Sequence, residues 1–402
     1  MLLAALTMLG PFTVDTIFPG FPAVQREFSV DAVATQQIVS VYLFTFAVMS
    51  LLHGPLSDAL GRRPVIVAGL AMFLATSVFC ALAPSMTWLL VGRALQGVFA
   101  GGGMIVGRTV VRDLFSGEPA QRAMSQMSMI FGVAPALAPI VGGWLLGWSS
   151  WRSIFWFLAT FAAIILVAVL LLLPETHPAD RRTPLQTRAL VSAVVEATKD
   201  PSVRRLLLVS SFNFAALFTY ISAAPAFIVD HLGLGPSDFG WLFVPVVTMM
   251  ITGSWLTGRL AGRISGPRFL ALGFGVAVLG GAAQLVLDAF GVRTLPWVLV
   301  GPVTTGLGIA LVFPIVTLVL LEVRPRHRGT LSSMQSFTNT MLNAIVAGAL
   351  VPVVSRSLAG LTGAAVAFSI AGWLVWARHQ QVAHPVVSTP PDPESYEPTD
   401  RL

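Results

Sequence analysis

Long apolar segments separated by short polar runs make up most of this chain. Each apolar segment is close to the roughly 20 residues that a helix needs to cross the hydrocarbon of a bilayer. The pattern predicts twelve membrane-spanning helices. Their predicted ranges are 2–22, 34–53, 64–83, 86–108, 125–147, 152–173, 206–229, 239–260, 268–288, 296–321, 330–354 and 360–377.

One longer polar stretch, 174–205, divides the twelve segments into two sets of six. It carries several prolines and charges of both signs. We therefore predict an N-terminal six-helix bundle over 1–173, a cytoplasmic linker over 174–205 and a C-terminal six-helix bundle over 206–377, an arrangement common among transporters built from internal repeats. The remaining residues, 378–402, are proline-rich and acidic towards the end and are predicted to form a disordered cytoplasmic tail.

The composition agrees with a membrane protein. Hydrophobic residues make up 55% of the chain and charged residues 10%, whereas a soluble protein has roughly a quarter charged residues. The sequence thus predicts an all-α polytopic fold whose partner is the lipid bilayer. The net charge of +6 could indicate nucleic-acid binding, but the basic residues lie in the short loops between segments. We expect no nucleic-acid partner.

The distribution of arginine predicts the orientation in the membrane, because cytoplasmic loops carry the excess of basic residues. If the N-terminus is cytoplasmic, most arginines fall in predicted cytoplasmic segments. This predicts an even number of spans with both termini in the cytoplasm. The predicted outer loops hold only Arg26, Arg152, Arg293 and Arg356.

A short polar and basic run, GPLSDALGRRP at 54–64, lies between the second and third predicted spans. Its two glycines allow sharp turns and close backbone approach. Its acidic residue lies near the start of the following span, and its arginines supply fixed positive charge. The run either caps helices and anchors the chain at the lipid headgroups or takes part in gating. The residues concerned are Gly54, Asp58, Gly61, Arg62 and Arg63.

Two charged side chains fall not at the ends but well inside predicted spans, where charge is costly and therefore indicates function. Asp15 lies in the first span between Pro11 and Pro19, and Arg93 lies in the fourth. One interpretation is a structural ion pair between the two. The other is that the Asp15 carboxyl binds and releases a proton during transport, because an isolated buried carboxylate is expensive.

Small residues recur at helical spacing in the fourth and fifth predicted spans, where they allow helices to approach closely. Tight packing and a hinge role both fit this pattern. In the fourth span the residues are Gly97, Gly101, Gly103 and Gly107. In the fifth span they are Pro135, Pro139, Gly143 and Gly147.

Amides and aromatic rings are candidates for a substrate cavity. Gln335, Asn339 and Asn343 form a stripe on one face of the eleventh span, and Asn213 lies in the seventh. These amides either bond a neighbouring helix or line water. The aromatic candidates could equally be packing residues. They are Tyr42, Phe214, Phe218, Tyr220 and Phe313.

Four stretches carry a resemblance to a known family. The 54–64 run resembles the loop between helices 2 and 3 of major facilitator superfamily transporters, of the form G-x-L-x-D-x-x-G-R-R/K. The segment FGVAPALAPIVGGWL, 131–145, resembles the signature of drug/proton antiporters, with Ala138 where the common pattern has glycine. VDTIFPGFPAV at 14–24 and SWRSIFWFLA at 150–159 are similar to the bicyclomycin/chloramphenicol resistance (Bcr/CflA) branch of 12-helix drug exporters.

The resemblance implies a major facilitator fold of twelve helices in two halves, and it implies roles for individual residues. Asp15 would be the proton-linked carboxylate of helix 1, and Arg93 the functional arginine of helix 4. Asp58 and Arg112 would belong to the cytoplasmic gating network. Thr7 stands where some relatives have a second carboxylate, so the number of protons stays open. The antiporter-motif residues would be Gly132, Pro135, Pro139, Gly142 and Gly143.

We therefore expect a proton-coupled multidrug efflux transporter, a drug/H⁺ antiporter that exports small, largely apolar antibiotics by alternating access. The expected location is the bacterial inner membrane, the expected state a monomer, and the energy source the proton gradient, with no cofactor or metal. The alternative is a proton-linked uptake symporter or facilitator for a small metabolite. Lys199, the one lysine, lies outside any phosphate-binding loop, which excludes an ATP-driven pump, and HExxH and GxSxG motifs of enzymes are absent.

Overall fold

The computed structural model describes residues 2–115, 117–183, 187–260, 263–324 and 328–382. These residues form helices joined by short connections, without a β-strand among them. Ten of the helical segments are long and apolar enough to cross a membrane, and Gly132–Trp148 is a shorter apolar helix. The predicted all-α, multi-pass membrane architecture is confirmed.

Eight helices form the N-terminal half, and most coincide with predicted spans. α6 and α7 extend several residues beyond the predicted ranges, while a short additional helix, α4, lies inside the 54–64 run. The helices are α1 Leu2–Asp15, α2 Phe21–Phe28, α3 Ala32–Ser50, α4 His53–Leu60, α5 Arg62–Ala81, α6 Met86–Leu114, α7 Gly117–Trp148 and α8 Arg152–Leu172.

The C-terminal half repeats this plan after a short connecting helix, α9. The tenth predicted span begins with a single 3₁₀ turn, and the eleventh is continued by a π-helical turn. The helices are α9 Thr187–Lys199, α10 Pro201–Ser222, α11 Gly240–Arg259, α12 Gly266–Ala289, α13 Val300–Val323, α14 Arg328–Ile345, α15 Val351–Val354 and α16 Leu358–Val382.

The first predicted span, 2–22, is not one continuous helix. α1 ends at Asp15, a 3₁₀ turn follows at Phe18–Gly20, and α2 then begins. Pro19 and Pro22 have no N–H to donate to the preceding turn, which favours a break in the regular hydrogen-bond ladder. Asp15 therefore lies at a helix end rather than in the middle of a span.

The segment between the halves is partly helical. The predicted linker, 174–205, contains α9 and the first turn of α10, which starts at Pro201. Asp200 caps α10 by accepting a hydrogen bond from the Ser202 N–H at 2.9 Å. At the other end, α16 continues to Val382, and the predicted disordered tail from 383 onwards lies outside the described residues.

Equivalent helices pack in the same way in both halves. α5 packs on α6 in the first half, and α12 packs on α13 in the second. Each pair contains facing glycines. A Cβ on Gly69 would lie 3.6 Å from the Gly102 Cα, and a Cβ on Gly308 would lie 2.6 Å from the Gly273 carbonyl oxygen. Small residues let both pairs approach closely.

The single cysteine, Cys80, is part of the same tight contact in the first half. It is fully buried on α5, and a Cβ on Gly92 of α6 would lie 2.5 Å from its Sγ. No disulfide can form within the chain because it has only one cysteine.

The two halves are hydrogen-bonded to each other at one end of the molecule. Gln36 donates to the Ser222 carbonyl oxygen at 2.9 Å, and Gln37 donates to that of Gly348 at 2.9 Å. Ser40 donates to the Ala344 carbonyl oxygen at 2.8 Å. We call the end that contains the first turns of α3 and the last turns of α10 and α14 the closed end.

Candidate functional site

Asp15 is the last residue of α1 and is buried, with 5% of its surface exposed. The following residue, Thr16, is in van der Waals contact with α7, because a Cβ on Gly142 would lie only 2.0 Å from the Thr16 carbonyl oxygen. The absence of a side chain at Gly142 therefore fixes how closely α7 approaches the end of α1. Asp15 is held at this junction.

Arg93 is completely buried within the N-terminal half. Its Nε donates to the Ile38 carbonyl oxygen at 2.9 Å, and its Nη1 donates to Gln96 Oε1 at 2.9 Å. Gln96 in turn donates to Ser77 Oγ at 2.8 Å. These neutral partners orient the guanidinium, while its Nη2 atom has no hydrogen-bond partner among the residues that the structure describes. The arginine therefore places a fixed positive charge inside the helix bundle.

Tyr42 interacts with both of these charged residues. The Arg93 guanidinium carbon is 4.5 Å from the centre of the Tyr42 ring, a cation–π contact. The Tyr42 hydroxyl is buried beside Thr13 and interacts electrostatically with Asp15. Among the described residues Asp15 and Arg93 form no ion pair. The structural ion pair considered from the sequence is therefore absent in this conformation.

The glycines of α6 bring that helix against α3. A Cβ on Gly97 would lie 2.3 Å from the Tyr42 carbonyl oxygen, and one on Gly101 would lie 2.8 Å from the His53 ring. His53 is buried, because it packs into the space that Gly101 leaves. The close approach predicted from the glycine spacing occurs, and it fixes the backbone that carries Tyr42.

Of the glycines in α7, which carries the antiporter-like signature at 131–145, some make close contacts with other helices and others do not. A Cβ on Gly143 would lie 2.1 Å from the Pro236 carbonyl oxygen, which belongs to the C-terminal half. Gly142 thus contacts Thr16 of the N-terminal half, while the adjacent Gly143 contacts Pro236 of the C-terminal half. A Cβ on Gly132 or Gly147 would have no described residue within 4 Å. The predicted narrow face is therefore formed by 142 and 143 rather than by every fourth residue. Pro135 and Pro139 lie inside α7 without ending it.

The 54–64 run forms an ionic cluster at the end of the molecule opposite the closed end. Arg62 is buried and its guanidinium contacts two carboxylates, Asp58 at 2.5 Å and Asp113 of α6 at 3.2 Å. It also donates to Ser57 Oγ at 2.6 Å. Asp58 lies within α4 and not at the start of the next helix. The bonds therefore join α4, the start of α5 and the end of α6.

Glu175, which the sequence reading did not single out, caps α5 in place of Asp58. Its carboxylate accepts hydrogen bonds from the backbone N–H groups of Arg62 at 3.0 Å and Arg63 at 3.2 Å. A carboxylate at a helix N-terminus is stabilised by the free N–H groups and the helix dipole. Gly61 precedes the helix with a φ of +100°, which favours glycine.

The other basic residues predicted in this network lie at its edge. Arg63 donates to the Leu170 carbonyl oxygen of α8 at 2.7 Å. Arg112 is exposed and lies near Arg108, whereas its neighbour Asp113 forms the ion pair with Arg62. Gly54 lies inside α4 with open space around it and is not needed for a close approach.

The polar stripe of α14 bonds neighbouring helices of its own half. Gln335 donates to Ser210 Oγ of α10 at 2.9 Å and to Thr317 Oγ1 of α13 at 2.9 Å. Asn339 donates to Ser210 Oγ at 3.1 Å and accepts from Ser211 at 3.0 Å. Of the two interpretations left open from the sequence, helix bonding accounts for these two amides.

Asn213 and Asn343 differ from the rest of the stripe. Both are buried, and neither the Asn213 Nδ2 atom nor the Asn343 Oδ1 atom has a hydrogen-bond partner in the described part of the chain. They therefore leave one donor and one acceptor free on neighbouring helices. Such atoms are costly unless a ligand or water completes them.

The predicted aromatic candidates are mostly packing residues in this conformation. Phe214 and Phe313 are partly buried and meet edge to face, with ring centres 6.1 Å apart. Tyr42 stacks on Phe46 at 6.1 Å. Phe218 and Tyr220 are buried, with 5% and 2% of their surfaces exposed. Only the Phe214–Phe313 pair combines an aromatic surface with partial exposure.

Several polar residues that make these contacts were not recognised from the sequence. Gln96, Glu175 and Asp113 could have been found only as polar residues near breaks in the apolar pattern. Gln284 and Asp288 offered a clearer signal, since they are four residues apart at the end of a predicted apolar span.

Comparison with known proteins places this geometry in a family. The sequence profile of the Major Facilitator Superfamily matches residues 3–348. The chain is 28% identical over 364 residues to multidrug resistance protein D of Escherichia coli, covering 90% of this chain and 91% of that protein. It is 27% identical over 287 residues to a bicyclomycin resistance protein homolog of Haemophilus influenzae, covering 71% and 72%.

A solved structure shows the same fold. The crystal structure of a bacterial homolog of the human lysosomal transporter Spinster, in an inward-facing and occupied conformation, superposes with a TM-score of 0.68 at 18% identity. The match covers 94% of this chain and 95% of that one. The family match spans most of the chain, and the relatives include proteins named for resistance to drugs, as the sequence motifs predicted. The chain belongs to the major facilitator superfamily of membrane transporters.

Proposed function

We propose that this protein is a proton-coupled multidrug exporter, a drug/H⁺ antiporter of small, largely apolar antibiotics. The observation that carries the proposal is the Asp15 carboxyl, which is buried at the end of α1 and has no ion pair with Arg93. The names of the E. coli and H. influenzae relatives support drugs as the cargo.

The chemistry follows from the cost of burying charge. An ionised carboxylate in a membrane interior is expensive, and binding a proton removes that cost. When the cavity opens to water, Asp15 can ionise again and release the proton to that side. Tyr42 interacts with both Arg93 and Asp15 in this conformation, so a rearrangement at Tyr42 would change the electrostatic surroundings of the carboxyl.

The orientation is part of the proposal. α1 and α7 would complete a set of twelve membrane helices, with both termini in the cytoplasm and the arginine-rich 54–64 run on the cytoplasmic side. The six-helix halves would be 1–173 and 206–377 with the linker 174–205 between them. The closed end would then face outwards, which makes this an inward-facing state of a monomer in a bacterial inner membrane.

Substrate would bind between the halves. The half-buried Phe214–Phe313 pair offers an apolar surface, and the unpartnered Asn213 and Asn343 atoms offer one donor and one acceptor. A mostly apolar molecule with a few polar groups suits such a lining. The transport cycle needs no cofactor besides the proton gradient.

Inverted membrane vesicles with an imposed pH gradient test the proposal. Adding an exported antibiotic should dissipate the gradient in vesicles that contain the protein and leave it unchanged in vesicles that contain the Asp15→Asn variant. If the gradient drives labelled substrate in the direction of the protons instead, the protein is an uptake symporter. If substrate crosses without any effect on the gradient, it is a facilitator.

A further inference from the structure

An open cavity of about 500 Å³ lies in the N-terminal half, at the closed end of the molecule. One wall is the last part of α2, which ends three residues before α3 begins, and the other is the connection from α7 to α8. The side chains around Asp15 and Arg93 do not line it. The lining residues used below are Arg26, Glu27, Leu146, Ser149, Ser150 and Trp151.

The Glu27 carboxylate is held in a fixed position in this lining. Trp151 donates from Nε1 to Glu27 Oε2 at 2.6 Å, and Arg152 donates from Nη1 to Glu27 Oε1 at 2.5 Å. Arg152 is itself held, because it donates to the Ala83 carbonyl oxygen at 3.0 Å and its guanidinium carbon lies 4.4 Å from the centre of the Trp151 ring. An ionised carboxylate has about four acceptor sites. Each oxygen of Glu27 can therefore still accept a hydrogen bond from a ligand in the cavity.

Arg26 supplies the positive charge of the lining. Its side chain is exposed, and no carboxylate in the described part of the chain lies within ion-pair distance of it. The hydroxyls of Ser149 and Ser150 line the same cavity and donate to no other residue that the structure describes. A guanidinium binds phosphate oxygens through its N–H groups, and hydroxyls add further donors. The lining therefore has the donors that a phosphate group needs.

The charges of the lining suit a zwitterion better than a simple anion. Arg152 does not line the cavity, so the lining contains one positive and one negative side chain, Arg26 and Glu27. A ligand with a phosphate and an ammonium group can place its negative charge at Arg26 and its positive charge at Glu27. A primary ammonium has three N–H donors for the Glu27 oxygens. A quaternary ammonium has none.

The surface beside the cavity is typical of the membrane interface. Trp148 directly precedes Ser149 and is 74% exposed, and Trp144, one turn earlier, is 58% exposed. Their ring centres are 4.3 Å apart. Exposed tryptophans of membrane proteins lie at the level of the lipid headgroups. The cavity therefore opens where a headgroup would lie, with an apolar surface for the acyl chains, which a water-soluble ligand would not use.

We propose that this cavity binds the headgroup of one phosphatidylethanolamine molecule. The phosphate accepts hydrogen bonds from Arg26, Ser149 and Ser150, and the ammonium group donates to Glu27. The bound lipid links α2 to the connection between α7 and α8 and thereby stabilises this end of the N-terminal half. The site is separate from the proposed substrate path and stands whether or not transport is coupled to protons.

Native mass spectrometry of the full-length protein in detergent tests the headgroup preference without any substitution. The protein is titrated with phosphatidylethanolamine, phosphatidylcholine and phosphatidylglycerol of the same acyl chains. Phosphatidylcholine has no ammonium N–H, and the phosphatidylglycerol headgroup has no ammonium at all. We expect the first phosphatidylethanolamine to bind about tenfold tighter than either of the others, the effect of one charge-assisted hydrogen bond. Equal affinity for all three lipids would overturn the proposal.

Arg26→Gln tests the phosphate contact. It should weaken the binding of the first phosphatidylethanolamine by about tenfold, because it removes the positive charge that faces the phosphate. The matched control is Arg356→Gln, at an exposed arginine at the same end of the other half, which should bind the lipid as the parent does. Thermal unfolding checks that both variants are folded.

Two results with these variants would overturn the proposal. One is parent affinity in Arg26→Gln, and the other is an equal loss of affinity in Arg356→Gln, which would indicate unspecific attraction of lipid to surface arginines. A competition experiment distinguishes a lipid from a soluble phosphate ester. If glycerophosphoethanolamine, which has the headgroup but no acyl chains, displaces the bound lipid at equal concentration, the site binds soluble phosphate esters and the assignment to a lipid is wrong.

Discussion

The Glu175 carboxylate occupies the space that a side chain on Gly61 would need, since a Cβ there would lie 2.7 Å from Glu175 Oε2. Gly61 also has a φ of +100°, a backbone conformation that costs other residues free energy. The lack of space for a side chain and the left-handed backbone conformation coincide at the start of α5, where Glu175 accepts a hydrogen bond from the Arg62 N–H. The junction between the 54–64 run and the linker therefore depends on glycine at this position.

Gly61→Ala should lower the free energy of unfolding by about 1–3 kcal/mol, the usual cost of a strained backbone position. Gly54→Ala is the matched control, because Gly54 lies inside α4 with open space around it. Alanine favours helix there by up to about 1 kcal/mol. Thermal unfolding in detergent should show a lower midpoint for the first variant only. Equal midpoints would mean that Glu175 moves away at no cost.

Asp15→Asn should abolish pH-gradient-driven export while substrate still binds, because the amide keeps the size of the carboxyl but cannot take up a proton. Asp180→Asn, at an exposed position of the linker, is the control and should transport as the parent does. Export is measured in vesicles and binding by equilibrium titration of the purified protein. Sustained uphill export by Asp15→Asn would remove Asp15 from the coupling step.

Asp58→Asn should reduce transport with the protein still in the membrane, because it removes one of the two carboxylates that hold the buried Arg62 guanidinium. Asp113 still pairs with the Arg62 guanidinium in this variant. We therefore expect a small loss of stability and a clear loss of transport rate. Transport assays at matched membrane abundance measure this. If the variant transports normally, the Asp58–Arg62–Asp113 cluster only orients the chain in the membrane and has no part in gating.

The adjacent glycines of α7 should respond differently to enlargement. Gly142→Ala pushes α7 away from Thr16 within one half, so it should destabilise the protein in every conformation. Gly143→Ala collides with Pro236 across the halves, so it should weaken the closed end and increase proton leak. Leak is measured as the decay of an imposed pH gradient without substrate.

Gly132→Ala and Gly147→Ala are the controls for this pair, because both positions have open space within 4 Å. Neither should lower the unfolding midpoint or increase the leak, since alanine in place of a helical glycine does not destabilise the helix. A leak in Gly147→Ala as large as that in Gly143→Ala would contradict the assignment of the contact to 143.

Glu27 provides a pH-dependent contribution outside the membrane spans. Partial burial raises the pKa of the Glu27 carboxyl. Hydrogen bonds from Arg152 and Trp151, together with the Arg152 charge, lower this pKa by more than burial raises it, so the net pKa is below the ordinary value of 4.5. The stabilisation is therefore present above about pH 4.5 and is lost as the pH falls through the lowered pKa. Thermal midpoints of the parent should exceed those of Glu27→Gln near neutral pH and converge with them in acid. A constant difference would contradict this.

Much of the fold could be predicted from the sequence because the thickness of the bilayer sets the length of a membrane-spanning helix. Each apolar segment of that length therefore marks one helix. α5 and α11, for example, begin and end within two residues of the predicted spans. The break after Asp15 could not be placed in this way, because residues 2–22 are apolar throughout and the prolines alone do not decide between a kinked and an interrupted helix. That choice depends on the contact of Thr16 with Gly142.

The residues of the candidate site could be predicted in apolar segments, where charged residues are rare, but not in polar stretches, where charged residues are common. Asp15 and Arg93 stood out as isolated charges in apolar segments, and both are buried. Glu175 lies in a polar stretch among other charges, so its place at the start of α5 depends on tertiary structure. Tyr42 was recognised only as an aromatic residue, because its interactions with Arg93 and Asp15 exist only once three helices have assembled.

The burial of Cys80 against Gly92 has a practical consequence for spectroscopy. The chain has one thiol, and water-soluble maleimides or spin labels cannot reach it while the helices stay packed. A cysteine introduced at an exposed position of each half would therefore be the only labelled site in its half, without prior removal of the native residue. Distances between two such labels across the closed end would report directly how far the halves separate during turnover.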